Sequence, residues 1–150
     1  MAEIFVADGP RHNAELQPPF AELLRIKITH LSREKVSAEL FVSDELENRM
    51  GILHGGALMG FADNLGGTAT TANLPDGART ATIESKTNFF APIPIGDTAY
   101  GECTPLHRGR RTMVWQTRIT RADGKLCAIV TQTQIVIPAG QSHSEGQSEG

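Results

Sequence analysis

Aromatic side chains are scarce in this chain: six Phe, one Tyr and one Trp among 150 residues. A base-stacking surface needs more of them, and a net charge of −3 gives no general attraction to phosphate backbones. Nucleic acid is therefore not an expected partner. Cysteine is limited to Cys103 and Cys127. They stand singly in strand-like runs without CxxC spacing, and read as small buried hydrophobes in a reducing cytosol. No apolar run approaches the roughly 20 residues that cross a bilayer. The opening residues MAEIFVADGPRHNAEL carry acids early and lack the basic-then-apolar order of a secretion signal. A cytoplasmic protein without a membrane partner is the expectation. Gly-x-Ser-x-Gly does not occur, so an α/β-hydrolase nucleophile is unsupported. Neither a phosphate loop nor a dinucleotide glycine motif occurs. His12, His30, His54, His107 and His143 show no metal-ligand spacing. Neither a metal nor a cofactor is expected.

What is present concentrates in residues 48–63, NRMGILHGGALMGFAD. A polar loop passes through His54-Gly55-Gly56 into an apolar segment in which Ala57, Leu58, Phe61, Ala62, Leu65, Ala69 and Ala72 recur at helical spacing. The helix is expected to start near Gly55 or Gly56, where the first N–H groups lack intrahelical partners and the dipole is positive. Glycine there lets a ligand come close, so the helix start suits an anion or a carbonyl oxygen that turns negative during reaction. Asp63 lies eight residues after Gly55, about 12 Å further along a straight helix. One small site cannot easily use both from one chain. If both act on one carbonyl, Asp63 belongs to the helix of a second, symmetry-related subunit.

Around that run the chain reads as alternating elements. Pro18-Pro19 introduces a short helix through Leu24. Strands are expected near 26–29 and over 34–42, where Val36, Ala38, Leu40 and Val42 share one face. The helix runs to about Asn73 and is stopped by Leu74-Pro75-Asp76-Gly77. Gly60, Gly66 and Gly67 each cost roughly 1 kcal/mol inside it relative to Ala, and close approach of a surrounding sheet is the expected compensation. Four strands follow, over 79–91, 97–106, 112–121 and 125–137, with Asp123-Gly124 a good hairpin signal. Short links make the strands antiparallel. The fold class is α+β: a curved antiparallel sheet wrapped around one central helix, in a single domain over residues 1–138. Residues 139–150 lack apolar anchors and read as a disordered tail.

Asn48-x-x-Gly51-x-x-His54-Gly55-Gly56 followed by Asp63 resembles the signature of hotdog-fold acyl-CoA thioesterases, in the phenylacetate-degradation (PaaI-like) branch. The resemblance continues through Phe89-Phe90-Ala91-Pro92, Gly96-Asp97, Gly109-Arg110-Arg111-Thr112 and Asp123-Gly124-Lys125-Leu126, and spans residues 20–138. It implies a sheet of five or six strands, homodimers with a continuous sheet that often form a dimer of dimers, and hydrolysis of an acyl-CoA thioester at a site shared by two subunits. Coenzyme A is then part of the substrate.

Within that frame Gly55 supplies the backbone donor to the thioester carbonyl, with Gly56 beside it; a tight helix entry alone would also explain both glycines. Asp63 is the catalytic carboxylate, either general base or nucleophile. Its neighbours Phe61, Ala62 and Leu65 are apolar and would partly desolvate it; the plainer alternative is an acid on the wet face. Asn48 matches the family's Asn before the glycine loop and would orient water or thioester, although turns favour Asn anyway. His54 holds the loop or meets the sulfur side. Thr82 stands where relatives carry a Ser or Thr that helps place water, and is also an ordinary strand residue. Arg108, Arg110 and Arg111 at a strand turn suit the phosphates of coenzyme A, or form a solvated turn.

The leading function is hydrolysis of an aryl- or medium-chain acyl-CoA to free acid and CoA. The alternative is a non-catalytic acyl-CoA binder or sensor on the same fold. The hydratase branch pairs an Asp with a His five residues later, where this chain has Thr68.

Overall fold

The computed structural model describes residues 5–7 and 14–141. Most of the expected tail, together with His12 and His143, lies outside the described residues. A short strand, β1 (Phe5–Ala7), is followed by helix α1 (Pro19–Leu23), strands β2 (Lys27–Ser32) and β3 (Val36–Phe41), and a 3-10 turn over Asp44–Leu46. Helix α2 (Gly55–Thr71) comes next, then strands β4 (Arg79–Phe89), β5 (Thr98–Arg108), β6 (Thr112–Thr120) and β7 (Leu126–Ile137). The seven strands form one sheet in the order β1-β2-β3-β5-β6-β7-β4. Six of them are antiparallel, and β1 adds in parallel to β2. This is the hotdog arrangement, with α2 packed against β3, β4, β5, β6 and β7. No helix among the described residues is long and apolar enough to cross a membrane.

Alternation sets the inward face. Val36, Ala38 and Leu40 of β3, and Met113, Trp115 and Ile119 of β6, are buried at every second position. They meet Leu58, Phe61, Ala62, Leu65 and Ala69 of α2 in one core. The chain's one Trp ties helix to sheet with a polar contact: the buried Trp115 indole donates to Thr70 Oγ1 at 2.8 Å. The Thr70 hydroxyl in turn donates to Gly66 O at 2.8 Å.

Departures from the sequence expectation have local causes. β4 ends at Phe89 rather than 91 because the Phe90 and Ala91 N–H groups both turn to Cys127 O. β5 runs on to Arg108 despite Pro105, because the ladder shifts register between Pro105 and His107 and a bulge tolerates the missing donor. Close approach explains Gly66, where a Cβ would collide with the buried Gln132 amide, but not Gly67, which has open space around it. β1 has no counterpart in the sequence reading.

Replacing Thr70 by Val keeps the shape but leaves the buried indole N–H without an acceptor. Denaturant unfolding followed by Trp115 emission should show a loss of about 1–3 kcal/mol; an unchanged midpoint would mean the contact contributes nothing net.

Candidate active site

The loop before α2 is built by Asn48. Its Oδ1 accepts from the Met50 N–H at 2.8 Å and the Ile52 N–H at 3.3 Å, and its backbone O accepts from Gly51 N–H. Gly51 sits at φ +74°, a left-handed value that glycine adopts without strain. The chain then enters α2 with His54 as N-cap, its Nδ1 accepting from the Gly56 N–H at 2.8 Å. Of the two glycine donors, Gly56 is thus occupied. The Gly55 N–H, at the first helical position, has no protein acceptor among the described residues.

Asp63 lies two turns further on. The core-facing stripe of α2 turns Phe61, Ala62 and Leu65 inward and leaves Asp63 exposed, in line with Gly56 and Met59. The desolvation expected from its apolar neighbours is therefore not supplied by its own chain. One carboxylate oxygen is held. Oδ1 accepts from the Thr82 hydroxyl at 2.7 Å, and Gln132 Nε2 stands 3.4 Å from both Asp63 O and Oδ1. Oδ2 has no protein donor among the described residues.

Each group belongs to a different cleft. Asp63 and Thr82 line one of about 410 Å³, walled by α2, β4, Gln134 and the 14–18 segment. Gly55 and Asn48 line another of about 480 Å³, with Met50, Leu58, Phe89 and Phe90. The two clefts have no residue in common. They flank opposite ends of β4: Thr82 near its start, and Phe89 at its end, where the ring would lie 3.3 Å from a Cβ on Gly55.

The three arginines do not converge. Arg108 grips Glu34 with both terminal nitrogens, at 2.9 and 3.2 Å. Arg110 and Arg111 line a separate cleft of about 790 Å³ with Pro75, Asp76 and Val136. Among the described residues no group of three or more His, Cys, Asp or Glu side chains is placed to hold a metal ion.

Sequence reasoning missed Gln132 and Gln134, both buried. The signal was available: on β7 they share parity with the buried Ala128, Val130 and Val136. An amide on the greasy side of a strand asks for a polar partner.

A sequence model described as the Thioesterase superfamily matches residues 50–128. The proofreading thioesterase EntH of Klebsiella pneumoniae is 30% identical over 115 residues, covering 77% of this chain and 83% of the relative. The 1,4-dihydroxy-2-naphthoyl-CoA hydrolase of Escherichia coli is 28% identical over 114 residues, covering 76% and 83%. The crystal structure of thioesterase HI1161 from Haemophilus influenzae matches with a TM-score of 0.77 at 27% identity, covering 83% of this chain and 86% of that one.

The His54 cap can be tested apart from any chemistry. His54→Ala frees the Gly56 N–H and should lower stability by about 1 kcal/mol, whereas His54→Asn, another good cap, should restore it. Equal melting temperatures for all three proteins would show that the cap does not hold the helix start.

Proposed function

Because this chain belongs to the thioesterase superfamily and is a thioester hydrolase, we propose that it cleaves an aryl- or medium-chain acyl-CoA to free acid and coenzyme A at a site built by two copies of the chain. One observation carries this reading: the free donor and the anchored acid sit at opposite ends of the edge strand β4. That strand pairs with β7 alone among the described residues, and its side chains Ile83 and Phe89 are more than half exposed, as is the adjoining Phe90. A long, open edge that carries exposed apolar side chains among its polar ones invites another strand. Antiparallel pairing of β4 with the same strand of a second copy sets the Thr82 end of one beside the Phe89 end of the other. A two-fold axis near the strand's middle then brings Asp63 to the Gly55 start of the partner's helix, twice per dimer.

In this arrangement the Gly55 N–H binds the thioester oxygen and stabilises the negative charge that grows there, worth about 3 kcal/mol of barrier. The free Oδ2 of Asp63 takes a proton from water as the water oxygen bonds to the carbonyl carbon. Collapse breaks the carbon–sulfur bond, and the proton held by Asp63 passes to sulfur. Direct attack by Oδ2, followed by hydrolysis of the resulting anhydride, uses the same two groups. Thr82 helps hold the acid. Asn48 shapes the loop and the apolar cleft that faces the substrate. Arg110 and Arg111 are the groups for the coenzyme A phosphates, Arg108 being engaged by Glu34. The aryl-CoA named as substrate of the E. coli relative supports the aryl part of the range. A protein that only bound acyl-CoA would gain nothing from a carboxylate anchored beside an anionic ligand.

Release of CoA can be followed with a thiol reagent, because Cys103 and Cys127 are buried and burial pushes the Cys103 thiol up to about 12. Asp63→Asn should lower kcat by at least about 1000-fold on any acyl-CoA the wild type turns over. Gly55→Pro removes the N–H at a helical position that accepts proline and should also be inactive. When the two inactive variants are unfolded together and refolded, half the dimers are mixed, and each mixed dimer holds one intact site. About a quarter of wild-type activity should return. No recovery, in a mixture shown to contain mixed dimers, would mean that each chain builds its site alone.

A further inference from the structure

Two glutamines occupy inward positions of β7, each only 1% exposed. Buried amides are costly unless paired. Gln134 is paired at both ends: Nε2 donates to Thr82 Oγ1 at 2.7 Å, and Oε1 accepts from the Thr80 hydroxyl at 3.1 Å. Thr82 and Gln134 are also direct cross-strand partners, just before the β4 ladder shifts register between Thr82 and Glu84.

The polarity of this chain of contacts is fixed. An ionised Asp63 has only lone pairs to offer at 2.7 Å, so the single Thr82 hydroxyl hydrogen must point at it. The Thr82 oxygen then needs a donor behind it, which the Gln134 NH2 supplies. The one Thr80 hydroxyl hydrogen is shared between Gln134 Oε1 at 3.1 Å and Ile135 O at 2.9 Å, and so supports the amide in that sense only in part. Were the amide reversed, Gln134 Oε1 would compete with Asp63 for the same hydrogen.

Building on the reading of Asp63 as the reacting acid, we propose that Gln134 is a positioning residue: through Thr82 it locks Asp63 Oδ1 and so makes Oδ2 the oxygen that meets water or thioester. Gln132 adds to the same anchorage from the other side, reaching the Asp63 backbone and Oδ1, and Gly66 leaves the room for its amide. Gln134 does not itself contact the reacting atoms, so it acts on turnover rather than on substrate binding.

The test is a double-mutant cycle on purified dimer, with acyl-CoA hydrolysis as readout. Gln134→Met should lower kcat about tenfold with KM within about twofold of wild type, a loss typical of one hydrogen bond that matters in the transition state. Thr82→Val should cause a similar or larger loss. Adding Gln134→Met to Thr82→Val should change kcat no further, because the hydroxyl through which Gln134 acts is already gone. A role in packing alone would lower kcat by the same factor in both backgrounds, and that outcome overturns the proposal. So does an unchanged kcat in Gln134→Met. Should the core substitution not fold, Thr80→Val on the edge strand tests the same chain: kcat should fall about threefold in the wild-type background and not at all beside Thr82→Val, and equal losses in both refute it. Asp63→Asn run alongside separates the two levels. Full activity there removes the acid itself, whereas its loss together with an unaffected Gln134→Met removes only the positioning role.

Discussion

The rotation of α2 about its own axis is the setting on which everything else rests. Phe61, Leu65 and Ala69 are drawn into the sheet, and Trp115 locks the helix with a hydrogen bond to Thr70. Those contacts leave one free direction, and Asp63 points along it beside β4. A turn of one residue, about 100°, would carry the carboxylate into the buried place of Ala62 and bring Asn64 rather than the acid to Thr82. Core packing and site geometry are in that sense one constraint, imposed by the same few side chains.

The acid is reached by breaking a local rule. β7 alternates as a half-buried strand should, but at positions 132 and 134 the inward residues are glutamines. Consistent sequences avoid such conflicts, and where one stands it marks a place with a job other than stability. Here the inward amides extend the sheet's hydrogen bonding sideways to Thr82 and Asp63. Gly66 is the matching concession on the helix, a weak helix former placed where a methyl group would strike Gln132.

Much of this was legible from residue order. Helical spacing between 57 and 72, alternation over 34–42 and the Asp123-Gly124 turn follow from local physics, and the elements fall where those signals put them. The wide separation of Gly55 and Asp63 needed only the rise of a helix. Three features were not legible. β1 pairs with β2 through backbone groups, which leave no side-chain pattern in three residues. His54 caps α2 through a ring nitrogen, a choice that Ser, Thr, Asp and Asn outcompete in any general expectation. The Arg108 pairing with Glu34 depends on two turns meeting at a sequence separation of 74, which no local pattern encodes.

The two halves of the proposed site differ in how they are held, and this bears on why a dimer suits them. The donor is a backbone group: its direction is set by the start of a helix, and any sequence that starts a helix there will aim it. The acid is held by side chains alone: directly by Thr82, on the open-edged β4, and by Gln132 of β7, with Gln134 of β7 behind Thr82. In a lone chain that edge is bare, the acid is exposed and the donor faces an apolar cleft of its own. Pairing β4 with a second copy would cover Ile83 and Phe89, remove water from beside Asp63 and bring the donor within reach in the same step. Charge developing on a carbonyl oxygen is stabilised most where the surroundings are dry and the dipoles already aimed. The open edge, with Ile83 and Phe89 bare in isolation, is therefore what would supply the dry surroundings the chemistry requires once it is covered.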